Sequence, residues 1–80
     1  MKKPIVAVLN DRWRVIDDPV QWILEYRAGA VRPGRTGYTG RRFCGSRRAL
    51  LWSVDELCGE VDPAEYASLM ELPERHVDWD

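Results

Sequence analysis

Between residues 27 and 48 this chain carries seven arginines and no acid, and these are the side chains whose type and spacing point most clearly to chemistry. Arg32, Arg35, Arg41 and Arg42 are interleaved with glycines and with Tyr38 and Phe43, and Arg47 and Arg48 carry the series into the start of a helix. A guanidinium offers a planar fork of donors that fits a carboxylate or a phosphate. The backbone N–H groups of a glycine-rich loop or a helix start add further donors, and an aromatic ring gives a face on which a base can stack. The set Arg32, Arg35, Tyr38, Arg41, Arg42, Arg47 and Arg48 is therefore the candidate partner-binding segment, directed at an acidic protein patch or at backbone phosphates. Phe43 is expected in the core. Without a partner, the same segment reads as a solvated basic loop beside an acidic helical face.

Other constellations fall short of a catalytic or metal site. His76 is the single histidine and lies in a tail expected to be exposed. A triad with Ser46, Ser53 or Ser68, or a pair with Cys44 or Cys58, needs that ring held rigidly beside the nucleophile. One histidine and two cysteines fourteen residues apart do not supply the four ligands of a structural zinc site. Asp17-Asp18 and Asp55-Glu56 are adjacent acids, and neighbours on a strand or helix point apart. Gly34, Gly37 and Gly40 recur every three residues but lack the Lys-Ser/Thr ending of a phosphate-binding loop. The expectation is a protein with no enzymatic activity, no cofactor and no metal. Cys44 and Cys58 are read as buried free thiols, since two cysteines in 80 residues are not a dense disulfide framework.

These residues must be positioned by one small domain spanning 1–80, because the 80-residue length leaves no room for a second core. The formal net charge of -1 hides a strong asymmetry. Residues 1–26 sum to zero, residues 27–48 to +7, and residues 49–80 to -8, from Arg75 against nine acids. Either the basic middle meets an anionic partner, or the two halves fold against each other and largely neutralise. The acidic face has a reading of its own, as a carboxylate surface able to occupy a groove built for phosphates.

The run Ile5-Val6-Ala7-Val8-Leu9, ended by Asn10-Asp11, reads as a buried strand, and Trp13-Arg14-Val15-Ile16 as its hairpin partner. Trp22 to Arg27 admits two readings. Asp18-Pro19 can cap a helix there, whereas Trp22, Leu24 and Tyr26 at spacing two favour a strand. Residues 28–42 read as a mobile basic loop, with Tyr38 to Cys44 as a candidate short return strand. Ser46 caps a predicted helix from Arg47 to Cys58 with Gly59 as its stop. Asp62-Pro63-Ala64-Glu65 opens a second helix with a near capping box, and residues 74–80 form a tail. The fold class is α+β: a small antiparallel sheet of three or four strands covered by two C-terminal helices. Ile5–Leu9 is too short for a signal-peptide core and no stretch suits a membrane span, so a cytoplasmic protein is expected.

Asp18-Pro19-Val20-Gln21-Trp22-Ile23-Leu24, then Phe43-Cys44-Gly45-Ser46-Arg47, Cys58-Gly59-Glu60-Val61-Asp62 and Leu72-Pro73, resemble a group of short proteins encoded in phages, prophages and mobile elements of alphaproteobacteria. The resemblance covers roughly residues 12–76. It extends in particular to the small anti-CRISPR inhibitors of type I Cascade complexes, and it implies a protein that binds a CRISPR surveillance complex and blocks target DNA recognition by steric or electrostatic occlusion. The shared residues are packing and turn residues, so the resemblance transfers no functional residue. The alternative is a small phage-encoded nucleic-acid-binding regulator or accessory protein, whose affinity would fall steeply with salt. A toxin-like RNA nuclease is disfavoured by the missing histidine and acid in the basic segment. Edge strands and four tryptophans make a homodimer a further expectation.

Overall fold

A computed structural model describes residues 5–28 and 37–79. Four strands, β1 (Ile5–Val8), β2 (Trp13–Asp17), β3 (Trp22–Arg27) and β4 (Tyr38–Cys44), precede helices α1 (Arg47–Leu57) and α2 (Pro63–Met70) and a short 3-10 turn, His76–Asp78. The strands form an antiparallel meander in chain order. Both helices lie on one face of it, α1 against β3 and β4 and α2 against β1. The expected α+β architecture, a sheet of four strands covered by two C-terminal helices, is the one found.

Short polar side chains make the turns. Asn10 Oδ1 accepts the N–H groups of Arg12 at 2.9 Å and Trp13 at 3.0 Å, which bends β1 back into β2. Asp18 and Gln21 exchange backbone hydrogen bonds of 3.0 and 3.4 Å around Pro19-Val20, and Asp18 Oδ1 accepts the Val20 N–H. Asp18-Pro19 thus closes a β2–β3 hairpin rather than capping a helix, and Trp22–Arg27 is a strand. Ser46 caps α1 through Ala49 N–H, and Gly59, at φ +64, follows the Cys58 C-cap. Asp62 Oδ1 accepts from Ala64 and Glu65 N–H, but the box stays half made. The Glu65 carboxylate instead accepts the Val8 N–H at 2.8 Å, satisfying a donor on the edge strand β1.

The alternation along the strands sends Val15, Trp22, Leu24 and Cys44 under the helices, where they meet Leu50, Val54, Cys58 and Leu69. The indole of Trp22 is fully buried, and its N–H has no hydrogen-bond partner among the described residues. On the helix-free face, Ile5, Ile16, Ile23 and Phe43 stand opposite one another across all four strands. Phe43, expected in the core, is 60% exposed there. Cys44 takes the inward position, and the alternation sends its neighbour outward. The Phe43 ring lies over Gly40, where an added Cβ would sit 2.9 Å from Phe43 Cζ.

Of the loop expected over 28–42, residues 29–36 lie outside the described residues. Residues 38–42 belong to β4, since arginine is compatible with an edge strand whose backbone still pairs on one side. Arg32 and Arg35 lie outside the described residues. Among those described, no helix is long and apolar enough to cross a membrane.

The expected exposed tail is instead a strap. Arg47 N–H donates to Glu74 O at 2.8 Å, His76 N–H donates to Gly45 O at 2.9 Å, and Ser46 bridges Arg75. His76 is only 3% exposed, with its Nε2 donating to Asp17 Oδ1 at 2.7 Å and its ring edge-on to Trp22 at 5.0 Å. Trp79 closes the group 5.9 Å from Trp22. Val77 remains exposed. A tail without periodicity still docks when its aromatic and polar groups meet a preformed edge, and periodicity does not report that.

Both cysteines are buried free thiols, as expected. Burial pushes the Cys58 thiol up to about 12, with Asp55 adding to the effect. The folded form therefore holds its proton at a pH where the unfolded thiol has lost it. Stability from this group is intact below the ordinary thiol value and declines as pH rises towards about 12. The urea midpoint is expected to fall between about pH 8 and about pH 10.5, and to fall less in Cys58→Ala. Equal slopes in the two proteins would remove Cys58 from this account.

Candidate functional site

Five side chains from four elements border an open hollow of about 380 Å³: Trp13 on β2, Tyr26 on β3, Arg41 and Arg42 on β4, and Leu57 on the last turn of α1. Its aromatic wall is a directly opposed cross-strand pair. The rings of Trp13 and Tyr26 are 4.9 Å apart and tilted by 56°.

The arginines reach the hollow because β4 is irregular. Arg42 pairs with Leu24 and Gly40 with Glu25, so Arg41 is the extra residue of a bulge. Consecutive residues of a regular strand point to opposite faces. With the bulge, Arg41 and Arg42 both line the same hollow. The Arg41 guanidinium lies 5.2 Å from the Tyr26 ring centre. Arg42 Nη2 is paired with Glu56 Oε1 at 2.8 Å, and its guanidinium is 5.9 Å from the exposed Trp52 ring. Among the described residues, Arg42–Glu56 is the one ion pair joining the basic middle to the acidic last third.

Of the other described residues of the predicted segment, Arg47, Arg48 and Tyr38 lie away from the hollow. Arg47 Nη1 donates to Leu72 O at 2.7 Å and holds the strap. Arg48 is exposed on the first turn of α1. Tyr38 pairs with Arg27 on the helix-free face, with Arg14 3.7 Å over its ring. Arg14 is itself bonded to Glu25 at 2.7 Å. Sequence reasoning found Arg41 and Arg42 but missed Trp13, Tyr26 and Leu57. The spacing of Trp22, Leu24 and Tyr26 did place Tyr26 on one face with Trp22 and Leu24, but which face the helices cover, and the facing of Trp13, need the pairing register.

The Asp17–His76 pair has the form of two members of a triad, and its surroundings are aromatic. The rings against His76 are Trp22 and Trp79, and among the described residues no hydroxyl or thiol is bonded to it. The buried Ser53 hydroxyl donates to Ala49 O at 2.9 Å and lies 3.9 Å from Cys44 Sγ. Burial raises the Cys44 thiol, against a smaller lowering by Ser53 and Arg42, which leaves it a poor nucleophile at neutral pH. Among the described residues no three His, Cys, Asp or Glu side chains gather as a metal site. Compared with protein-family models, with curated proteins and with solved structures, the chain matches none.

Proposed function

We propose that this is a non-enzymatic binding protein of the bacterial cytoplasm, an anti-CRISPR inhibitor that docks on a subunit of a type I surveillance complex through the surface around Arg41 and Arg42 and occludes target DNA recognition. The carrying observation is the bulge in β4, which puts two arginines beside the Trp13–Tyr26 pair. Tryptophan, tyrosine and arginine are the residues that dominate the energetics of protein interfaces. A type I surveillance complex as the partner is what the resemblance over residues 12–76 implies.

The test is affinity purification of the tagged chain from a lysate containing a type I complex, with and without nuclease. Cascade subunits are expected to co-purify after nuclease treatment, and Arg41→Glu/Arg42→Glu is expected to lose them while keeping its circular dichroism. The fold tolerates the change because the Arg42–Glu56 pair is exposed and contributes at most about 1 kcal/mol. Recovery of nucleic acid alone, or capture unaffected by the charge reversal, would overturn the proposal.

A further inference from the structure

The hollow has chemistry specific enough to say what enters it. We infer that it receives one apolar, ring-bearing side chain of a partner polypeptide together with an adjacent carboxylate.

The body of such a ligand is set by Trp13, Tyr26 and Leu57, which offer two ring surfaces and an aliphatic end. About 380 Å³ is near the lower limit of small-molecule pockets and suits one large side chain. The charge is set by the arginines. Arg42 is already held by Glu56 at 2.8 Å, so Arg41 is the cation at the rim that an incoming anion meets without displacing a carboxylate. A guanidinium lying against Tyr26 is held in place for a forked contact to a carboxylate.

A nucleic-acid strand fits this arrangement less well. It brings a phosphate with every nucleotide, and phosphate binding gains from several cations at once. Here one of the two arginines is neutralised, and Glu56 stands exposed beside it on α1 next to Asp55. A single carboxylate on an apolar group needs Arg41 alone and avoids the acidic helix.

This inference rests on the reading of the chain as a protein-binding module, but its test needs no Cascade subunit, so the two can fail separately. The ¹⁵N-labelled full chain is titrated with N-acetyl-L-phenylalanine, with its neutral amide, with thymidine 5′-monophosphate and with an oligothymidylate, and followed by two-dimensional NMR. The acid is expected to move the Trp13 indole N–H and the backbone resonances of Arg41 and Leu57, with half-saturation on the order of millimolar, as befits one side chain. The amide is expected to bind at least about fivefold weaker, the loss of one charge-assisted contact. Arg41→Gln, whose exposed side chain lies outside the core, should abolish the difference between acid and amide while the spectrum stays dispersed. The inference is overturned by equal binding of acid and amide, by absence of shifts at those three residues, or by an oligothymidylate that binds more tightly than the acid. If these shifts appear but Cascade is not captured, the chemistry of the hollow stands and the anti-CRISPR assignment falls.

Discussion

Trp22→Ala is expected to leave the protein largely unfolded at room temperature. Trp22 is fully buried beneath the helices and packs edge-on against His76. Truncating a buried tryptophan costs about 3–5 kcal/mol in lost transfer energy and unfilled space. A single core of this size rarely supplies more than about 3–5 kcal/mol of net stability, so the loss and the reserve are comparable. Trp22→Phe separates packing from the indole N–H. Phenylalanine keeps a ring in the core and deletes a donor that has no partner among the described residues, so it should cost far less than alanine. Urea unfolding followed by circular dichroism measures both variants. A cooperative Trp22→Ala transition near the wild-type midpoint would contradict this account of the core.

His76→Ala is the second large effect, at about 3 kcal/mol. The substitution removes the 2.7 Å bond to Asp17, takes away a ring packed between Trp22 and Trp79, and leaves the Asp17 carboxylate mostly buried. Breaking one side of a buried pair is strongly destabilising because the remaining group keeps its burial and loses a short hydrogen bond. For a domain of this length the loss corresponds to a fall in melting temperature of about 12–24 °C. His76→Gln can place its amide nitrogen close to the position of Nε2 and should recover part of the loss. A melt of His76→Ala within a few degrees of wild type would show that the strap does not hold the fold.

The elements with strong local signals were legible in the sequence. β1 and β2 follow from a β-branched run and the Asn10 turn, and both helices from their caps at Ser46 and Asp62. The doubtful segment, Trp22–Arg27, was decided by what Asp18 does with its hydrogen bonds, which depends on whether β2 lies beside it. His76 was misplaced because it pairs with Asp17, 59 residues away, and no window of neighbouring residues carries that information. Phe43 and Cys44 were assigned to the core together, although adjacent strand residues cannot both face inward without a bulge between them. The bulge exists two residues before Phe43, at Arg41, so the site depends on a register shift that residue types alone do not reveal. Arg47 looked equivalent to Arg41 and Arg42 by type, and it is distinguished by the Leu72 carbonyl in its path.

The strap has a consequence in time as well as in energy. The strands pair with their immediate neighbours in the chain, whereas Asp17 and His76, 59 residues apart, meet only by closing a far longer span. Contacts that join last are absent from the folding barrier, and losing them speeds unfolding while leaving folding almost untouched. His76→Ala should accordingly shift the unfolding arm of the chevron and spare the folding arm. The strap then sets how long each folded molecule lasts, and the hairpins set how quickly the next one forms.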